Sequence, residues 1–449
     1  MFISRNNSPN EPNTSDIKSR DIISDPRDPF ITNTIINGGK WVFFSNSIVA
    51  FWPFSIKRTE DTRQKYLSFQ YPTITLCFTV FYLILSTLYL VHYFMVRFLM
   101  DLNRSHLFDL TVVVVCDCTI IVVAMAYRII GIWRLPQLRK FWDNIVNIVG
   151  QFTLISSEED TQEKIGKLNK WSLKWIIFFT ILGICNAIAL FYDTIIISNI
   201  PLRRGIIMQY FDAVISMHNS SAFFLTFFIK IMSHGFTTCK RKLEQISRQS
   251  GRISTSTLSI SDSCYAVTAT STSLSKVFQL IEDLEECVAS FNNTFFPILF
   301  LETTFSFMQI MFALYSGHLV NPLENFALAA NVMLPILMYT TCLVSLCVAS
   351  SEMTSECQEM VGKFQQLPAS TLSTDDGHKI QLLVARLAAE PTAIHVAQLF
   401  LIRVSLLGSA LNTIATYFIV IVQMRLLAHS AGIDAIKTKE SNESNIVGN

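Results

Sequence analysis

Residues 400–424 read Phe-Leu-Ile-Arg-Val-Ser-Leu-Leu-Gly-Ser-Ala-Leu-Asn-Thr-Ile-Ala-Thr-Tyr-Phe-Ile-Val-Ile-Val-Gln-Met, with Arg403 as the one charge. A helix needs about 20 mostly apolar residues to cross the hydrocarbon of a bilayer, and this stretch suffices. Six more precede it, at 73–95, 109–131, 173–197, 207–233, 294–317 and 326–350. The fold class that follows is all-α, a seven-transmembrane helical membrane protein. A short loop holding Pro201, Arg203, Arg204 and Gly205 joins spans three and four, and one around Asn321-Pro322 joins five and six. Each of these pairs is expected to lie antiparallel. Trp41 to Ile56 is apolar but short and contains Pro53, which suits an interfacial or re-entrant helix better than another span.

Composition agrees. Of 449 residues, 51% are hydrophobic and 15% charged, with 35 Phe, whereas a soluble domain carries about 25% charged residues. A net charge of +1 gives no reason to expect a nucleic-acid partner. The N-terminal 30 residues are polar, rich in Asn, Ser, Asp and Pro, with no signal peptide. The first span is therefore expected to serve as its own insertion signal.

Lys and Arg set the orientation. The loops after spans two, four and six hold 6, 6 and 3 basic residues, against 2, 2 and 0 after spans one, three and five. The even-numbered spans thus lead into the cytosol, placing the N-terminus inside and the C-terminus outside. Arg128, Lys174, Lys230 and Arg403 then all fall near cytosolic helix ends, where their side chains can snorkel. Sequons at Asn103 and Asn442 lie outside, while those at Asn6, Asn13 and Asn292 lie inside and are expected to stay unused. None of the ten Cys falls in an outer loop or the tail, so no extracellular disulfide is expected.

The chain divides accordingly. A disordered cytosolic N-terminus (1–37) precedes the short helix and spans one to four (38–233). Cytosolic helical extensions follow, interrupted by a disordered Ser/Thr-rich insertion at 247–275 (234–293). Spans five and six (294–350), cytosolic helices (351–399), the final span (400–424) and an extracellular tail (425–449) complete it. Helical patterns at 238–246, 274–289, 351–366 and 377–390 suggest a cytosolic bundle that would suit a subunit contact, with Pro391 separating the last of them from the final span.

Enzyme signatures are missing. The sequence holds no Walker loop, no G-x-S-x-G, no H-E-x-x-H, no Gly-rich dinucleotide fingerprint and no His pair at i, i+4. Neither catalysis nor a cofactor nor a metal is expected. G-protein-coupled receptors have the opposite orientation, and their D-R-Y and N-P-x-x-Y motifs are absent. A transporter would be expected to show repeated halves, which an odd span count does not favour.

Thr416-Tyr417, five hydrophobic residues and Gln423 resemble the signature at the end of the last span of insect gustatory receptors, relatives of insect odorant receptors. Met424 stands where that signature has Phe. With the span count, orientation and length, the resemblance extends over about residues 38–428. It implies a tetrameric ligand-gated cation channel, a homotetramer or a heteromer with other gustatory receptors, in the plasma membrane of sensory neurons. In that family the final helix lines one central pore, and the cytosolic extensions together with the start of that helix form an anchor between subunits. Helical spacing puts Thr416, Ile419, Val420 and Gln423 along one stripe, with Met424 beside it. Four copies would make an apolar constriction with a ring of amides, able to hydrate a cation and to close by dewetting. The span lacks an acidic residue, so weak discrimination among monovalent cations is expected. Tyr417 is read as a packing anchor.

The resemblance also implies a pocket for a small-molecule tastant in the outer half of the bundle. Polar groups inside a membrane are costly and mark functional sites. The candidates are Asp117 (span two), Asn186, Tyr192 and Asp193 (span three), Gln209, Asp212, His218 and Asn219 (span four), and Gln309, Tyr315 and Asn331 (spans five and six). Such groups suit a sugar-like ligand without excluding a bitter compound. Glu302, nearer the inner half, is read as a packing or gating group. The alternative is a pore-free or transporter-type membrane protein.

Overall fold

The computed structural model describes residues 29–43, 55–58, 65–68, most of 80–91, 107–156, 158–192, 202–255, 260–318, 326–367 and 374–447. Helix α1 (Pro29–Gly38) precedes a hairpin of β1 (Ser55–Arg58) and β2 (Lys65–Ser68), antiparallel with Ser55 opposite Ser68. Then come α2 (Leu107–Trp133), α3 (Leu135–Ile155), α4 (Glu158–Phe191), α5 (Leu202–Thr255), α6 (Ile260–His318), α7 (Phe326–Gln365) and α8 (Thr374–Ala389). A second hairpin, β3 (His395–Val396) with β4 (Phe400–Leu401), leads into α9 (Val404–Val447).

Among the described residues, five helical segments are long and apolar enough to cross a membrane: Glu159–Ala189, Ser220–Gln249, Ser271–Gly317, Val332–Gln365 and Val404–Leu427. Spans three to seven each fall on one of these. The segments Ile121–Trp133 and Leu135–Ile155 pass the same test together but are bent by 69°, and span two lies in α2. Of 73–95, the described positions between 80 and 91 are helical.

The structure corrects five boundaries. The final helix starts at Val404, not 400, because 395–401 form the β3–β4 hairpin. Alternating β-branched Thr392, Ile394 and Val396 after Pro391 favour an extended chain there. The N-terminal segment expected to be disordered through 37 turns helical at Pro29, because Ile31, Ile35 and Ile36 share one face and are buried. Of the helix expected at 41–56, residues 41–43 are helical, Ser55 and Ile56 belong to a strand, and 44–54 lie outside the described residues. The Ser/Thr-rich insertion is helical up to Thr255 and again from Ile260, as extensions of two long helices already nucleated and packed. The tail is helical to Val447.

Besides α1, a second helix escaped the sequence reading. α3 lies where a cytosolic loop was expected, and it buries Leu138, Phe141, Trp142, Ile145, Ile148, Val149 and Phe152. Their spacing of three and four places them on one face, and Pro136 sits in the first turn, where its missing N–H costs nothing. This face meets α5 and α6 in an aromatic cluster. The Phe141 ring lies 5.0 Å from Phe228, 5.6 Å from Phe291 and 5.2 Å from Phe295, edge to face. Gly235 on α5 permits this approach, since a Cβ there would lie 2.6 Å from a Leu284 methyl and 2.9 Å from the tip of Phe152.

From Lys230 and Glu352 onward, α5 and α7 run side by side with a ladder of ion pairs. Lys230 meets Glu352 at 3.2 Å, Lys240 meets Glu356 at 2.6 Å and Glu359 at 2.9 Å, and Lys363 meets Glu244 at 3.1 Å. Asn147 of α3 donates to Asp283 of α6 at 3.1 Å, and Ser271 of α6 donates to Asp376 of α8 at 3.0 Å. Arg386 of α8 pairs with Glu285 of α6. These helical extensions therefore form one packed bundle.

Candidate functional site

α9 has two unlike faces. Ala410 and Ile414 are buried, and Leu406 and Leu407 pack against the core. The opposite face is exposed and carries Ser405, Ser409, Asn412, Thr416 and Gln423. Their spacing of four, three, four and seven keeps them on one line along a helix. Ile419 and Val420 flank that line and Met424 follows it, all outward-facing. The stripe read from the sequence is thus turned away from the bundle in one piece, and Ser405, Ser409 and Asn412 extend it toward the start of the helix. The same i, i+4, i+7 count, continued backward from Thr416, would have found them. Tyr417 differs from expectation: it is 57% exposed and packs little within its own chain. The Thr416 hydroxyl donates back to the Asn412 carbonyl at 2.9 Å, which satisfies it within the helix. An amide has two N–H donors and a carbonyl to satisfy, so Asn412 and Gln423 carry the strongest demand for water or another polar partner.

A second polar centre lies inside the bundle. Glu302 of α6 is fully buried. Its Oε2 accepts a hydrogen bond from the Tyr127 hydroxyl of α2 at 2.6 Å and another from the Ser221 hydroxyl of α5 at 2.9 Å. One carboxyl oxygen therefore ties three helices together. Ser306 and Gln309, also buried, continue the same face of α6, making a polar line through an otherwise apolar core. Sequence reading singled out Glu302 and Gln309 but not their partners, because Tyr127 and Ser221 are distant in the chain and unremarkable alone.

The pocket candidates are distributed unevenly. Gln309 and Tyr315 are buried in α6, and Asn186 is buried in α4, whereas Tyr192 is 48% exposed just past the end of α4. The side chains of Asp117, Asp193, Gln209, Asp212, His218, Asn219 and Asn331 lie outside the described residues. A cleft of about 1110 Å³ opens elsewhere, between α6 and the segment joining α8 to β3, lined by Glu285, Asn292, Arg386, Glu390 and His395 among others.

The segment entering α9 is held on both sides. Asn292 of α6 donates through Nδ2 to the Ala393 carbonyl at 3.0 Å and accepts the His395 N–H on Oδ1 at 3.1 Å. Ser351 of α7 accepts the Val404 N–H at 2.9 Å, acting as a cap borrowed from another helix. The turn between the strands holds Ala397 and Gln398 at φ 49° and 60°, a left-handed conformation that non-glycine residues adopt at a cost of about 1–2 kcal/mol each.

Comparison with known proteins agrees with this architecture. No curated protein matches the chain. The structure is similar to that of the insect olfactory receptor OR5 from Machilis hrabei, with a TM-score of 0.62 and 13% identity over 87% of this chain and 99% of that one. It is also similar to the same receptor in complex with eugenol, with a TM-score of 0.58 and 13% identity over the same shares. At that identity the likeness is one of fold. The model of a family described as 7tm chemosensory receptor matches residues 42–427, nearly the whole chain. A bundle of membrane-length helices closed by one outward-facing final helix thus belongs to a protein of the 7tm chemosensory receptor family.

Proposed function

We propose that the chain is a gustatory receptor, a tastant-gated and weakly selective cation channel in the plasma membrane of chemosensory neurons. Four subunits, all of this chain or mixed with related ones, surround a single pore lined by α9. The N-terminus is cytosolic and the C-terminus outside. One observation carries the reading. α9 is apolar and of membrane length, yet the face it turns away from its own bundle bears Ser405, Ser409, Asn412, Thr416 and Gln423. Amides and hydroxyls are poorly placed against lipid tails, whereas a water-filled path between copies gives them partners. Ile419 and Val420 beside Gln423 supply an apolar ring that closes by dewetting.

The ligand is a sugar-like or bitter small molecule taken up in the outer half of the bundle, where Gln309 and Tyr315 stand among the candidates. Eugenol, bound by a receptor of similar fold, belongs in the test panel for that reason. Ligand binding opens the pore only by favouring the open arrangement over the closed one. Glu302, joined to α2 and α5, is a gating group placed where three helices would have to shift together. The test is whole-cell current from the expressed chain while sugars, bitter compounds, amino acids and eugenol are applied. The reading predicts an inward cation current within milliseconds, without G-protein signalling, that Gln423→Ala alters. Surface-expressed protein that passes no current, alone or with a related subunit, would favour the pore-free or transporter-type alternative.

A further inference from the structure

We propose that Asn292, together with Ser351, is a positioning residue through which α6 and α7 set the start of α9; this rests on the channel reading above. The geometry is that of a strand edge closed by a side chain. In the β3–β4 hairpin, Ile402 donates to the Ile394 carbonyl at 3.0 Å and Leu399 donates to the Val396 carbonyl at 2.8 Å. Residues 394 and 396 thus spend these groups within the hairpin. The Ala393 carbonyl and the His395 N–H face the other way, along the open edge of β3. The Asn292 amide meets both, at 3.0 and 3.1 Å. A carboxamide has the donor and acceptor of a peptide unit, so Asn292 does for β3 what a third strand would do.

The hairpin is small but rigidly seated. Ile394, Val396 and Ile402 are fully buried in the main core, and its turn holds two non-glycine residues left-handed. Such backbone persists where the surroundings over-determine it. Two residues after Ile402, α9 begins, with its first N–H held by Ser351 of α7. α6 therefore grips the open edge of the hairpin, and α7 grips the first residue of α9. A shift or rotation of either helix has a direct hydrogen-bonded route to the α9 N-terminus, with no side chain of α9 itself required. The clamp also explains why the Asn292 sequon would be of no use to a glycan, since its amide is committed to the hairpin.

The experiment compares wild type, Asn292→Ala and Asn292→Asp as full chains in lipid nanodiscs, by amide hydrogen exchange. Ala removes both hydrogen bonds. Asp keeps the size and the acceptor for His395 but loses the N–H that Ala393 needs. Exchange in 393–402 is expected to quicken by about ten- to a hundredfold in the Ala variant, in line with two lost local hydrogen bonds. It should quicken by a smaller factor in the Asp variant and spread into 404–410, while α3 and α8 stay as protected as in wild type. An Asp variant as slow as wild type would assign the effect to side-chain volume and overturn the proposal, as would unchanged exchange in 393–402 with Ala. In parallel, unliganded whole-cell sodium conductance is expected to change several-fold in both variants with its reversal potential unmoved. Altered exchange with unaltered conductance would overturn the transmission to α9. A wild type that passes no current at all would instead bring down the channel reading, leaving the exchange result to judge the clamp.

Discussion

Replacing Glu302 by Leu takes the acceptor from two hydroxyls at once, Tyr127 at 2.6 Å and Ser221 at 2.9 Å. All three residues are fully or almost fully buried. A buried donor deprived of its acceptor costs about 1–3 kcal/mol, so the two together set a loss of at most about 2–6 kcal/mol. The added change of Tyr127→Phe and Ser221→Ala removes the two donor hydroxyls as well. A buried polar group replaced together with its partners by apolar ones is often nearly neutral. The triple variant is therefore expected to regain most of what Glu302→Leu loses, although it carries more substitutions. Because both hydroxyls share one oxygen, the single changes Tyr127→Phe and Ser221→Ala should not add up in a double variant. The assay is denaturant unfolding of the purified chain in mild detergent, followed by tryptophan fluorescence. A triple variant no more stable than Glu302→Leu alone would refute the idea that the carboxyl serves chiefly to satisfy and join these two helices.

Other expectations follow from the packing. Phe141→Ala should cost about 3–5 kcal/mol in the same unfolding assay, since its ring meets Phe228, Phe291 and Phe295 with no exposed edge. Gly235→Val should cost about 1–3 kcal/mol through overpacking, because the nearest atoms are those of the buried Leu284 and Phe152; Gly166→Ala, which meets nothing, should leave the unfolding midpoint in place or raise it slightly. Ser351→Ala should loosen the first turn of α9 by about 0.5–2 kcal/mol, seen as faster amide exchange at 404–407.

Much of the helical layout was legible because the bilayer imposes a simple rule of length and apolarity. Spans three to seven were found where the structure has them, and the stripe through Thr416 and Gln423 was readable by counting along a helix. What escaped reading escaped for identifiable reasons. α3 is amphipathic rather than apolar, so a search for lipid-length runs passes over it, although its spacing of three and four from Leu138 to Phe152 was present. The β3–β4 hairpin hid inside an apolar run, because Phe400, Leu401 and Ile402 look alike as strand or helix; the β-branched alternation of Thr392, Ile394 and Val396 and the tertiary clamp by Asn292 and Ser351 distinguish them. Glu302 was visible as a lone acid in a span, but its partners come from residues 127 and 221, a pairing no local pattern encodes.

The claim most open to test is that the outward face of α9 lines a water-filled path. Single Cys substitutions at 405, 409, 412, 416 and 423, and at 410 and 414, would be introduced on a background lacking the exposed Cys185. Each would be treated with a charged thiol reagent during current recording. The account predicts that the first five react and alter the current, while Ala410→Cys and Ile414→Cys, facing the bundle, stay silent. Modification with the reverse pattern, or equal silence at all seven positions in a conducting protein, would contradict it.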